Sequence, residues 1–277
     1  MPLPVLSMED AQELIRAVEM RGYGVVPVTE KFVPAVVEPT WTKQDTIKIG
    51  LVSDTHFGSL WQQPSALDLA YDWFKREKVT AVLHAGDLCD GSGRMHKGMA
   101  QEQFLHNAVA VVDYVVNVYP KAPFTTFMIG GNHDLSYMKE DGVDVPRAVS
   151  ERRKDIVYLG NASGTVQLRD FSDTVFELQH PDGAAANHLN KVRTYIDRDR
   201  SPDLLPNVMV MGHLHRFSIL PEYRGVLGIE MPAFQGQTSY LERRALYPNI
   251  GAVLLTLKSD GSVSVDWKMW DGVSEDF

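Results

Sequence analysis

The stretch Ile129-Gly130-Gly131-Asn132-His133-Asp134-Leu135 decides how the rest of the chain is read. It closes an apolar run, residues 124–129, that reads as a buried strand. The glycines let the backbone turn sharply, and three polar side chains follow at once. In an open α/β sheet, ligand chemistry collects just outside the carboxyl ends of strands. Asn, His and Asp crowded at such a point are poorly explained as a turn alone.

Working upstream, residues 46–52 read as a strand ending in Ser53-Asp54-Thr55-His56. Residues 64–78 carry helix spacing at Leu67, Ala70, Trp73 and Phe74, and 79–85 form a second buried strand ending in Gly86-Asp87. A glycine-rich loop spans 90–98, and a long helix is expected over 100–118, stopped at Pro120. This alternation predicts βαβ units and a parallel sheet. Downstream, a helix over 145–154 gives way to short β-like runs at 156–159, 165–168 and 174–179, the last entering His180-Pro181. A polar helix is expected over 184–197, and 207–211 is a strand ending in Gly212-His213-Leu214-His215. The tail, at 225–235, 250–257 and 262–267, is strand-like, with an Asp260-Gly261 hairpin turn. Before the core, Ser7-Met8-Glu9-Asp10 looks like a capping box for a helix running to Gly22, and 24–45 reads as an extended arm. The expected division is a leader over 1–45 and a catalytic domain over 46–277.

Composition narrows the classes. A single cysteine, Cys89, excludes an internal disulfide framework and every Cys-based zinc site. The formal charge of −9 argues against a broad sequence-independent DNA-binding surface, while leaving room for an anion at a small cationic site. No apolar run is long enough to span a membrane, and no basic segment followed by an apolar core opens the chain. A cytoplasmic protein with no membrane partner is expected.

Five strand ends finish in metal-capable side chains: Asp54/His56, Asp87, Asn132/His133/Asp134, His180, and His213/His215. Asp54 and His56 stand two apart, as do His213 and His215, so in an extended backbone each pair points to one side as a pincer. Singly, Asp-x-His or Gly-Asp is a common turn, and a strand histidine is usually a satisfied core residue. The weight lies in all the blocks recurring, each after an apolar run. Carboxylate, amide oxygen and imidazole without thiolate suit Mn, Fe or Zn in an octahedral or five-coordinate site. One metal needs only three or four ligands. The larger set points to two, about 3.5–4 Å apart, clamping a phosphoryl displacement.

On Asp54-Thr55-His56, Gly86-Asp87, Gly131-Asn132-His133-Asp134, His180 and Gly212-His213-Leu214-His215, the chain resembles the calcineurin-like metallophosphoesterases. The resemblance covers about residues 47–215 and leaves the leader outside. It implies an α/β fold of two mixed β-sheets packed as a sandwich flanked by helices. It implies two divalent metal ions, Mn first, with Fe, Zn or Ni as alternatives. One would be held by Asp54, His56, Asp87 and His215, the other by Asp87, Asn132, His180 and His213, with Asp87 bridging. His133 would meet the leaving-group oxygen, and Asp134 would hold its imidazole. His188 competes with His180 but lies in a helical pattern.

The implied activity is phosphoester hydrolysis through a metal-bridging hydroxide. A phosphodiester partner, DNA, RNA or a nucleotide, is favoured because the motif set is similar to the DNA-repair-nuclease and prokaryotic or phage branches. A phosphomonoesterase or protein phosphatase is the alternative. A non-catalytic scaffold on the same fold is the rival of another class, though no ligand is missing. Arg94 and His96, in the loop beside Asp87, are candidate phosphate contacts. His84 and His106 read as structural, and Cys89 as a small buried group. Arg152-Arg153-Lys154, Arg193/Arg198/Arg200 and Arg243-Arg244 are interspersed with acids and read as solvated faces.

Overall fold

The computed structural model describes residues 35–37, 46–93, 95, 100–168, 174–183, 189–198 and 205–270, all within one compact unit. The helix expected over 7–22, the arm apart from 35–37, and Arg94, His96 and His188 lie outside the described residues.

The strands are β1 (Ala35–Val37), β2 (Thr46–Val52), β3 (Ala81–His84), β4 (Thr125–Ile129), β5 (Ile156–Gly160) and β6 (Ser163–Leu168), then β7 (Val175–Gln179) and β8 (Val208–Met211). They continue as β9 (Ser218–Tyr223), β10 (Val226–Glu230), β11 (Gly251–Lys258) and β12 (Val263–Met269). The helices are α1 (Pro64–Glu77), α2 (Ala108–Val118), α3 (Asn132–Asp141), α4 (Val145–Arg152), α5 (Asn190–Ile196) and α6 (Ser239–Arg243). One sheet runs β12-β11-β2-β3-β4-β5 and the other β1-β6-β7-β8-β10-β9. Within the first, β2 to β5 are parallel and β11 is antiparallel to β2. Within the second, β7, β8 and β10 are parallel.

Side-chain alternation builds the layers. Ile47, Ile49 and Leu51 of β2 face the inner core with Phe176, Leu178, Val208 and Val210 of the other sheet. Val52, Val82 and Met128 face the opposite way, under Leu67, Ala70 and Phe74 of α1 and Val111 and Val115 of α2. On the second sheet's outer face, Val192 and Ile196 of α5 cover Met209 and Met211. Each large apolar side chain buried this way contributes about 1.5–3 kcal/mol. The parallel strands of both sheets end at the same edge, which sets the site.

Where the elements depart from expectation, local chemistry explains it. The helix expected over 100–118 starts at Ala108, because the Asn107 side chain accepts the Ala110 N–H at 2.9 Å and caps it there. Residues 132–141 form a helix rather than a turn; its weak apolar pattern hid it, with Asp134, Ser136 and Tyr137 its buried residues. The strand β9 was masked by Pro221, which is tolerated because β9 is an edge strand. The strand expected over 225–235 ends at Glu230, after which Phe234 N–H donates to Asp54 O at 2.9 Å and leaves the sheet. Among the described residues no helix is long and apolar enough to cross a membrane.

Arg153 is not on a solvated face. It is buried, with Nη1 donating to Val116 O at 3.1 Å and Tyr119 O at 2.9 Å, and Nη2 donating to Pro120 O at 3.1 Å. It thus satisfies the orphan carbonyls at the end of α2 while forking onto Asp155 at 2.8 and 2.6 Å. Arg153→Leu strands those carbonyls and one carboxylate, so it is expected to cost about 2–4 kcal/mol. A urea midpoint equal to that of wild type would contradict this account.

Candidate metal centre

The site begins as backbone. Past β2, Asp54 N–H donates to Gly86 O at 2.9 Å, His56 N–H to Asp87 O at 3.2 Å, and Phe57 N–H to Leu88 O at 3.0 Å. The two strand-end loops therefore run side by side. The pincer does not form in extended chain, as the sequence reading expected. Asp54, His56, Asp87, His213 and His215 all have positive φ, at 53°, 45°, 52°, 81° and 54°. Left-handed backbone costs roughly 1–2 kcal/mol at each such residue, and it persists where neighbouring bonds over-determine it.

Close approach sets the glycines. A Cβ on Gly131 would stand 2.6 Å from the Asp87 nitrogen and still nearer its carboxylate. On Gly212 it would strike Ala85 O and Ser53 Oγ of the facing sheet. The loops of the two sheets meet here nearly backbone to backbone.

Onto this frame the structure places every expected ligand. Asp54, His56 and His215 form one cluster; Asp87, His180 and His213 form another; His56, Asp87 and His133 link them. His215 Nε2 lies 3.3 Å from Asp54 Oδ1 and 3.0 Å from His56 Nε2. His56 Nε2 is 3.8 Å from Asp87 Oδ2, and His180 Nε2 is 3.0 Å from the same oxygen. Asn132 Oδ1 lies 3.2 Å from His180 Nε2. His133 Nε2 stands 4.0 Å from Asp87 Oδ2, with its side chain 19% exposed while that of Asp87 is 1% exposed.

Burial and charge set the protonation states. Burial drives His56 and His213 down to about 4, leaving neutral imidazoles, the form that ligates metals. Burial also opposes the charge on Asp54, yet His215 beside it holds the carboxyl down at about 2. Asp87 is held well below the carboxylate range, burial being outweighed by His180 and His133. The same pairing overcomes burial at His180 and lifts it to about 10, so a cation binding beside Asp87 would displace the His180 proton. At His133, burial is again outweighed, by Asp87 and Asp90, and the imidazole sits above its usual value.

This chemistry fits divalent cations. His56 Nε2 and His215 Nε2 share at most one proton at their 3.0 Å separation, so at least one lone pair faces the cluster. Anionic Asp54 and Asp87 stand beside it, and among the described residues no thiol joins these groups.

The supporting residues differ from the expected ones. Asp134 does not stand behind His133. Its carboxylate accepts N–H bonds from Leu88 at 3.0 Å, Cys89 at 2.9 Å and Gly131 at 2.9 Å, and the Cys89 thiol at 2.9 Å. It ties the Asp87 loop to the start of α3, and the thiol is buried and used. The His133 ring is held instead by Asp90, whose carbonyl oxygen lies 2.6 Å from Nδ1. Asp90 Oδ1 also lies 3.2 Å from His56 Nδ1, while Gln235 Nε2 donates to it at 2.7 Å and Gln103 Nε2 donates to Oδ2 at 3.0 Å. Asp90 was missed; its place three residues beyond Asp87 was the available signal. The buried His84 accepts Gly86 N–H on Nδ1 at 3.2 Å and contacts Thr55 Oγ1 at 3.3 Å, bracing both loops.

Carboxylates and imidazoles gathered at the strand ends of a two-sheet sandwich, their ligand atoms within 4.8 Å of one another in each group, make a candidate metal centre. The chain belongs to the calcineurin-like phosphoesterase family, whose model matches residues 47–227. No curated protein sequence matches it. Among solved structures it is similar to Vps29 of Chaetomium thermophilum, at 11% identity and TM-score 0.41, covering 82% of this chain and 97% of that one. It is also similar to Thermotoga maritima protein TM1076, at 13% identity and TM-score 0.36, covering 81% and 99%. The Pseudomonas putida nuclease MPE matches at 17% identity and TM-score 0.32, covering 69% and 76%.

Because Asp87 touches groups of both clusters, Asp87→Ala is expected to strip bound metal from the whole centre, read by elemental analysis after gel filtration. The isosteric Asp87→Asn separates loss of charge from collapse of the loop. Metal content at the wild-type level in both variants would overturn the shared role.

Proposed function

We propose that the chain hydrolyses phosphodiesters, in nucleic acid or a nucleotide, at a centre of two divalent cations, Mn the first choice. The observation that carries this reading is the pair of donor clusters meeting on Asp87, with the partly exposed His133 beside them. Cations bound there supply Lewis-acid charge for the phosphoryl oxygens and a nucleophile from water at neutral pH.

Asp54, His56 and His215 would hold one ion and Asn132, His180 and His213 the other, with Asp87 common to both. Asp54, His56, Asp87, His180 and His215 are buried, whereas Asn132, His133 and His213 are half-buried and form the side open to solvent. The Asp90 carbonyl holds the Nδ1 proton of His133, which aims Nε2 into the centre. From there, as the imidazolium that Asp87 and Asp90 favour over the opposing effect of burial, its Nε2–H would give its proton to the departing oxygen, an alkoxide in a natural diester that leaves poorly without one. The diester class rests on the similarity of the motif set to the nuclease and prokaryotic branches.

The test is a panel of bis-nitrophenyl phosphate, nitrophenyl phosphate and single-stranded DNA after Mn addition. Preferential hydrolysis of the diesters supports the proposal. Turnover of the monoester alone assigns a phosphomonoesterase, and an inert protein with full metal content assigns a scaffold. Within the panel, His133→Ala is expected to keep its metal and lose about 10²–10⁴-fold on DNA, where the leaving group needs a proton. Its loss on nitrophenyl esters, which leave without help, should be far smaller. Equal losses on both would refute the leaving-group role.

A further inference from the structure

The segment between Gln235 and Asn249 is absorbed by neither core nor metal ligands, yet both its feet stand on the centre. At one foot, Gln235 Nε2 donates to Asp90 Oδ1 at 2.7 Å, and Phe234 N–H donates to Asp54 O at 2.9 Å. At the other, Asn249 N–H donates to His215 O at 2.8 Å. The loop between them is self-bonded. Thr238 caps α6, Gln237 Nε2 donates to Leu246 O at 3.1 Å, and Leu246 N–H donates to Leu241 O at 3.0 Å. It presents Tyr247, 70% exposed, and Tyr240, 46% exposed, with the Arg244 guanidinium 4.6 Å above the Tyr240 ring.

A buried core gains nothing from aromatic rings turned outward, and a loop braced at this many points holds them in place. Stacking surfaces of this kind are how proteins engage unpaired bases, since every base has a π-face. Arg244 covers one face of the Tyr240 ring, so a base would meet the planar guanidinium there, which also suits phosphate, and the open ring of Tyr247. Charge alone does not serve: Glu242 lies between Tyr240 and Arg243 in a chain of net charge −9. Recognition at this lip would therefore be short-ranged and base-dependent.

We propose that residues 237–247 form a base-stacking lip at the mouth of the metal centre, with Tyr240, Arg244 and Tyr247 engaging unpaired bases of a single-stranded nucleic acid. This rests on the phosphodiesterase reading above and names the part of the substrate that reading leaves open. The centre would take the scissile phosphate while the lip takes a flanking base.

Fluorescence anisotropy on the Mn-loaded protein tests it, with a labelled phosphorothioate oligothymidylate, which resists cleavage, against an abasic strand of equal length. The expected result is binding about tenfold or more tighter to the base-bearing strand. Tyr247→Ala and Tyr240→Ala should erase that preference while leaving abasic binding as it was, and Tyr247→Phe should restore it. The preference should survive moderate salt. Equal binding of the two strands by wild type overturns the proposal. So does a preference untouched by both alanine variants, or a tyrosine effect seen only as a change in oligomeric state. A base preference in a protein that cleaves no phosphoester would leave the lip standing and refute the catalytic reading instead.

Discussion

Two ionised carboxylates buried where the sheets meet are the constraint around which the rest of the structure is arranged. Asp54 belongs to the loop after β2 and Asp87 to the loop after β3, and both are almost wholly removed from water. Each such burial costs several kcal/mol unless geometry compensates it. Compensation comes mainly from across the sandwich. Both oxygens of Asp54 accept the His213 N–H, at 3.0 and 3.1 Å, and Asp87 Oδ2 meets His180 Nε2 at 3.0 Å. Both histidines come from the other sheet. The charges thus join the two sheets at the edge where the sandwich core gives way to chemistry, and the left-handed residues and small glycines are what allow the approach.

Much of the fold was legible because its signals were local. Continuous apolar runs marked β2, β3, β4 and β8, and helix spacing marked α1 and α4, since burial on both faces leaves a plain pattern. The residues that meet at the centre were legible for the same reason, each announced by an apolar run ending in a polar cluster. What stayed hidden depended on partners distant in sequence. The helix α3 is stabilised through Asp134 gripping the Asp87 loop, and nothing in its own composition reveals that. Arg153 looked like a surface charge because the carbonyls it satisfies lie more than thirty residues upstream.

The assignment of Asp134 shows how adjacency misleads. A carboxylate next to a histidine invites pairing, but at a helix start the two side chains diverge by about 100°. Asp134 turns back to the N–H groups of Leu88 and Cys89, while His133 turns into the centre. The residue that does steady His133 uses its backbone carbonyl, an atom every residue possesses, so only its place three residues beyond Asp87 could point to it. Asp90 is then doubly committed. Its carbonyl serves His133, its carboxylate serves His56, and the Gln103 and Gln235 amides saturate what remains.

That commitment also links the centre to its surroundings. Gln235 is both a support of Asp90 and the first foot of the tyrosine-bearing loop, so the group that orients His56 and the segment that faces solvent share one hydrogen bond. For the proposed nucleic-acid substrate, a rigid connection of this kind would matter in a chain of net charge −9. Long-range attraction is weak and screened within about 8–10 Å, so orientation has to come from contacts made at short range. In the proposed arrangement, a lip fixed to the residues of the centre would convert a stacked base directly into a placed phosphate. The same base on a freely moving loop would gain affinity without alignment, and catalysis depends on alignment.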